Sequence, residues 1–405
     1  MSFKLHTFQA FGVEIEYMIV NRETLDVRPV ADRLIHMGDA QKNEVSKGRF
    51  KWSNELVAHV VEIKTNGPVA SLESLHKGFQ EQVAAIEKRL EPLGCRLMPT
   101  GMHPWMDPST QTVLWPYEDR EIYETFDRVF GCKGHGWSNL QSTHLNLSFS
   151  GDEEFRRLHS AIRLVLPLIP SLAASSPIME GTPAPNLDQR LDAYGKNCAI
   201  FPSVSARLVP DVIPGASEYE ERVYGPIQKD LESVGAQEVL EPVWVNARGA
   251  IARFDRGSIE IRLMDAQECP KADIEILRFL IKLLKSLVKM EHTTLEAQES
   301  IPTEFLADLL AATIQTGGKA AILDPAFPKL FGIDPAKAST ARDLVRELNE
   351  TSPQPFPHIR TITNHGTLSE RLMASTPDTD NPEALQATYS KLADCLAKGT
   401  YFDAG

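Results

Sequence analysis

Apolar and polar residues alternate through much of four stretches, FGVEIEYMIV at 11–20, LVAHVVEIKT at 56–65, STHLNLSF at 142–149 and SIEIRLMD at 258–265, and this period of two predicts half-buried strands. Elsewhere apolar residues recur every three or four positions. That spacing predicts helices over Leu72 to Leu93, Asp152 to Leu168, Glu218 to Val234 and Ala272 to Met290. From about residue 291 onward only the helical period appears, over Glu304 to Gln315, Thr340 to Leu348 and Pro382 to Leu396. Strands separated by helices with unequal spacers predict an α+β fold rather than regular βαβ winding. The expected organisation is a sheet-and-helix core over 1–290 and a C-terminal helical region over 291–405 packed on the same domain. The Pro- and Gly-containing stretches 177–186 and 202–215 read as loops, either at the edge of an active site or as plain connectors.

The same alternation assigns side chains to faces. Glu14 and Glu16 share one face of the first strand, while Val13, Ile15 and Tyr17 occupy the other. The second strand sets Glu62 and Lys64 against Val61 and Ile63, with Glu55 just before it. The third sets His144, Asn146 and Ser148 against Leu145, Leu147 and Phe149, and the fourth sets Glu260 and Arg262 against Ile259, Ile261 and Leu263. Each of these is singly compatible with a solvated strand face or a hydrogen-bonded structural histidine. If the strands form one sheet with its apolar face on the helices, Glu14, Glu16, Glu62, His144, Glu260 and Arg262 project together as a polar floor. Like charges so close call for water, basic partners or a cation. An oxygen-rich set without a Cys/His quartet suits Mg²⁺ or Mn²⁺ rather than zinc. Such cations bridge phosphate oxygens, with an arginine as a fixed clamp, so the implied chemistry is phosphate handling. Neither a GxxxxGK[ST] loop nor a dinucleotide glycine fingerprint occurs, so a nucleotide must be held by other means.

Composition narrows the partners. The chain has 405 residues, 42% hydrophobic and 24% charged, and no apolar run approaches the roughly 18–20 residues of a membrane span. The N-terminal segment has no secretory apolar block, which predicts a cytoplasmic protein. A net charge of −13 disfavours nucleic acid and anionic lipid as partners, although it does not exclude a local basic patch. Five scattered cysteines without a CxxC pair predict reduced thiols.

Seven segments, in order, resemble the motif series of the bacterial glutamate–cysteine ligase family 2: GVEIEY at 12–17, NELVAHVVEIKT at 54–65, GMHP at 101–104, STHLNLSF at 142–149, ASSPIMEGTPAPNLDQR at 174–190, GSIEIRLMD at 257–265 and HGTLSERL at 365–372. The resemblance implies a fold like the glutamine synthetase catalytic domain, a curved, mainly antiparallel sheet forming a funnel with helices on its outer face. It implies metal ligands Glu14, Glu16, Glu55, Glu62, His144 and Glu260, with Glu62 also catalytic. Arg262 becomes the clamp on phosphate or transition state, and Arg190 a ligand for the substrate α-carboxylate. His103 stands either as a ligand contact or as a loop cap, and Arg371 either at ATP phosphate or paired with an acid. Two departures touch substrate identity. Asn146 stands where the family has a second histidine, so that it meets metal or substrate through an amide, and APNLDQR replaces a Gly-Tyr-containing stretch.

The activity so implied is ATP- and Mg²⁺-dependent joining of a carboxylate, glutamate favoured, to an amine such as cysteine, another amino acid or a peptide, through an acyl phosphate. Two other readings remain at this stage: a phosphotransferase to a nitrogen acceptor on the same fold, and a non-catalytic metabolite-binding protein. Analogy with acidic proteins of this kind suggests a homo-oligomer.

Overall fold

The computed structural model describes residues 5–36, 42–376, 378–379 and 381–403. Eight strands form one open antiparallel sheet. Its order is β2 (Glu44–Lys47), β3 (Phe50–Asn54), β4 (Val60–Thr65), β1 (Phe11–Asn21), β6 (Ser142–Ser148), β10 (Ser258–Asp265) and β9 (Ala250–Arg253). The eighth strand, β5 (Cys95–Met98), also pairs with β1, and β7 (Ile178–Met179) and β8 (Thr182–Pro183) make a separate hairpin. β1 is long enough to serve two partners on one edge: Phe11 to Ile15 pair with Leu147 to Thr143 of β6, and Met18 to Asn21 pair with Met98 to Cys95 of β5, while Glu14 to Met18 pair with Lys64 to Val60 of β4 on the other edge.

The predicted apolar face is the core. Val13, Ile15, Tyr17, Val61, Ile63, Leu145, Leu147, Ile259 and Ile261 are all buried, each side chain contributing roughly 1.5–3 kcal/mol of hydrophobic stabilisation. The Pro270–Val288 helix packs on the Leu75–Leu90 and Gly151–Val165 helices over this face. After β10 the described residues form helices and turns apart from an isolated bridge, and Leu306, Leu310, Leu344, Ile359 and Leu396 join the same hydrophobic cluster as the sheet.

The other face of β1 changes character along its length. Beyond Glu14 and Glu16, that face carries Met18 and Val20, which pack with Met98, Leu368, Leu372, Leu385, Tyr389 and Leu392 in a second cluster. The Leu368–Ser375 and Pro382–Lys398 helices therefore cover one end of the polar face. Arg96 of β5 anchors the second of these helices through Asp394 at 2.8 Å.

Several boundaries differ from the expectation. The strand expected over 56–65 begins at Val60, because the pairing of β1 with β4 ends at Met18–Val60 and 55–59 turn back from β3. The helix expected over Glu218 to Val234 is interrupted by a π-helical segment, Glu220–Tyr224, before Gly225–Ser233. β2, β3, β5 and β9 were not anticipated; each has only four or five residues, too few for alternation to register.

Candidate active site

Sheet register brings the acidic residues together. Across β1, Glu14 faces Lys64 on β4 and His144 on β6, and Glu16 faces Glu62. Asn146 of β6 lies between Gly12 and Glu260. β10 bulges against β6 after Ile261, while the Arg262 N–H donates to the Gly249 carbonyl at 3.1 Å in line with the β9 pairing and its guanidinium pairs with Glu260.

His144 is the hub. Its Nδ1 lies 3.4 Å from Glu14 and 3.6 Å from Glu260, and its Nε2 lies 3.9 Å from Glu16. Two overlapping groups result, Glu14/His144/Glu260 and Glu16/Glu62/His144, each with its candidate ligand atoms within 4.8 Å of one another. Opposed oxygens on Mg²⁺ stand about 4.2 Å apart, so small rotations would close either group on a cation, and a carboxylate-dominated set fits a hard one.

Neighbours hold these side chains in place. The Ser142 N–H and hydroxyl both donate to Glu16, at 2.7 and 2.9 Å. Ser53 donates to Glu62 at 2.5 Å, Lys64 pairs with Glu62 at 2.8 Å, and the Asn146 amide donates to Glu14 at 3.1 Å.

The electrostatics are those of crowded anions in a partly dry cleft. Burial, then Glu260, raises the pKa of Glu14; burial and Glu62 raise that of Glu16 against the opposing pull of His144. Burial and Glu14 raise Glu62, and burial with Glu16 and Glu62 raises Glu55. Glu260 moves the other way, because Arg262 and His144 outweigh its burial. For Lys64, burial is overcome by Glu62, Glu14 and Glu55, and its pKa rises. An uncompensated set of carboxylates is costly, and a bound cation would remove most of that cost.

These residues line a cavity of about 370 Å³. Glu55 lines it too, from the turn after β3, but belongs to neither ligand group. Arg190 reaches it from the first turn of the Gln189–Lys196 helix, its Nε ion-paired with buried Asp265 and its buried Nη2 without a protein partner. Ser175 and Ser176 also donate to Asp265.

Three expected residues, Asn146, His103 and Arg371, are not in the lining; Asn146 stays beside it, its amide on Glu14. His103 is buried outside the cavity lining; its Nε2 is 2.8 Å from the Leu25 carbonyl and its Nδ1 accepts from the Trp105 N–H at 3.2 Å, so it caps a loop. The residue of GMHP that bears on the site is Gly101, where a Cβ would collide with the Asp265 carboxyl that holds Arg190. Arg371 is likewise buried away from the cavity, donating to Glu268 at 2.9 Å and to the Phe402 carbonyl at 2.6 Å. Its acid-pairing alternative is the one realised. Thr367 and Glu370 of the same motif form a capping box that starts the Leu368–Ser375 helix.

The cavity also gathers residues not singled out from the chain: Lys64, Ser142, Tyr194, Arg253 and Arg256. Lys64 and Ser142 were legible, since each shares its strand face with a chosen residue. Arg253 ends the short β9 and Arg256 sits in the following turn, where no periodicity points to them.

The profile of the glutamate–cysteine ligase family 2 matches residues 10–324, which include every strand and all but the last of the seven motifs. The chain belongs to the glutamate–cysteine ligase family 2. Over 392 residues it is 31% identical to an uncharacterized protein of Archaeoglobus fulgidus, covering 96% of this chain and 99% of that one. A Rubrobacter xylanophilus protein provisionally named glutamate–cysteine ligase 2-3 is 26% identical over 259 residues, 64% of each chain. Among solved structures, the glutamate–cysteine ligase of Francisella tularensis, determined in complex with AMP, superposes with a TM-score of 0.58 at 11% identity over 100% of this chain and 91% of that one. A bifunctional glutathione synthetase from Pasteurella multocida gives 0.56 at 13% identity; 97% of this family member matches about half, 53%, of that chain. These two likenesses are of fold. None of the described helices is long and apolar enough to cross a membrane, and all five cysteines are free.

Proposed function

We propose that the protein is an ATP- and Mg²⁺-dependent carboxylate–amine ligase that forms an amide, γ-glutamyl if glutamate is the donor, through an acyl phosphate. The observation that carries this reading is the pair of overlapping ligand groups around His144 beside Arg262, in a member of a family named for that activity. Glu14, Glu16, Glu62, His144 and Glu260 would hold Mg²⁺ or Mn²⁺, with Glu55 close enough to join through water. Bound there, the metal supplies neutralisation of phosphate charge.

The chain's own residues do the rest. Arg262, with Arg253 and Arg256 lining the same cavity, clamps the triphosphate as charge develops between the γ-phosphorus and the bridging oxygen. Arg190 offers its unpartnered Nη2 to the α-carboxylate of the donor. The donor's reacting carboxylate attacks the γ-phosphorus and releases ADP; the amine then attacks the acyl carbon and releases phosphate. No side chain is needed as a covalent nucleophile, because positioning and charge neutralisation carry phosphoryl transfer. On this reading the sheet and the C-terminal helices packed at one end of its polar face would wall a funnel, with 291–405 part of the same catalytic unit as 1–290.

The test is incubation with ATP, Mg²⁺ and a panel of carboxylates crossed with amines, reading phosphate release and product mass. The expected result is turnover requiring both organic substrates and a product of their condensed mass. A phosphorylated metabolite would replace the ligase by a phosphotransferase. No turnover with any pair would count against both.

A further inference from the structure

A second cavity lies away from the acidic floor, along the Pro270–Val288 helix, and shares no residue with it. Its volume is about 630 Å³, within the range of small-molecule sites. Arg278, Lys282, Lys285 and Lys289 line it at spacings of four, three and four, which stacks them in one stripe about 16 Å long. Among the described residues, Lys282, Lys285 and Lys289 make no ion pair with a carboxylate, and Arg278 has only the exposed Glu73 at 3.8 Å. The other acid in the cleft, Glu291, accepts from Ser286 at 2.7 Å. Three phenylalanine rings are part of the wall: Arg278 lies over Phe356 and Lys285 over Phe11, and Phe331 lines it as well.

Four like charges at helical-neighbour spacing repel one another. In a chain of net charge −13 such a stripe is a local reversal of the surrounding field. A concave shape with aromatic rings beside the cations suits a small anion with a planar body, whereas the overall negative field disfavours a long polyanion. We propose that this cleft binds a nucleoside polyphosphate, its phosphates along the Arg278–Lys289 stripe and its base against the Phe331 and Phe356 rings. The inference stands independently of the ligase reading.

Calorimetric titration of the full chain with ATP and with GTP, in EDTA so that the acidic floor holds no metal, tests it. Binding is expected, weakened by at least about tenfold in Lys285→Glu and in Lys289→Glu and unchanged in Arg262→Ala. Both reversed lysines are exposed, and an unchanged thermal midpoint verifies that these variants fold. Inorganic tripolyphosphate should bind at least about tenfold more weakly than ATP. The proposal falls if neither nucleotide binds, if both lysine reversals leave affinity intact, or if Arg262→Ala abolishes binding. Tripolyphosphate binding as tightly as ATP would overturn the role given to the rings.

Discussion

The two faces of the central strands are built from alternate residues of the same segments, yet they obey opposite rules. On one face Val13, Ile15, Ile63, Leu145 and Ile261 are shielded from solvent by helices in one hydrophobic cluster, and each residue adds stability. On the other, Glu16 stands directly opposite Glu62, and Glu14 and Glu260 share one imidazole. Burial and mutual repulsion raise the pKa of Glu14, Glu16 and Glu62, and only Glu260 is held down, by Arg262 and His144. The contrast teaches that the apolar face maintains the sheet while the polar face is held against its own repulsion, which is how a functional site differs from a core.

The largest effect that would break this contrast is Arg262→Ala. Loss of the clamp should lower kcat by about 10³-fold or more in the condensation assay with little change in thermal midpoint; unchanged kcat would remove Arg262 from the chemistry. On the apolar face Leu145→Ala should do the reverse, costing about 2–5 kcal/mol in denaturant unfolding while the folded fraction retains metal affinity. Equal damage to affinity would mean that the two faces are not separable.

Asn146→Ala sharpens the polar side. Its amide fixes Glu14, so metal affinity measured by titration should fall by about 10–100-fold, with Asn146→Gln recovering less than Asn146→Asp only if amide reach matters more than charge.

The smallest effect concerns pH. Glu62 has a raised folded-state pKa, so its contribution to stability is present below its ordinary value of 4.5 and is lost as pH rises through the raised value. In metal-free protein Glu62→Gln should therefore flatten that decline and be more stable than the parent by about 1 kcal/mol near neutral pH, although it loses turnover. A variant less stable than the parent at every pH would show that the Lys64 and Ser53 contacts outweigh the repulsion.

Much of this was legible in the chain. Alternation in 11–20, 142–149 and 258–265 assigned Glu14, Glu16, His144, Glu260 and Arg262 to one face, and the sheet places them there. Where motif resemblance left two roles open, position chose between them: His103 caps a loop, Arg371 ties a helix to Glu268 and Phe402, and in the GMHP motif it is Gly101 that makes room for Asp265. Such roles depend on which distant segment arrives beside a residue. Glu55 illustrates the same point: it precedes the strand as expected, and it is the turn between β3 and β4 that brings it to the cavity.

The sequence by itself determined the faces and the chemical character of the floor, because side-chain direction in a strand is a local property with a period of two. Only the tertiary structure decided that Glu16 meets Glu62, that the C-terminal helices seal the Met18–Val20 half of β1, that Arg253 and Arg256 enter the cavity and that Arg371 does not. Each of those outcomes depends on pairing between segments up to hundreds of residues apart, and strand order and helix docking are set by the burial of the whole chain at once rather than by any local pattern.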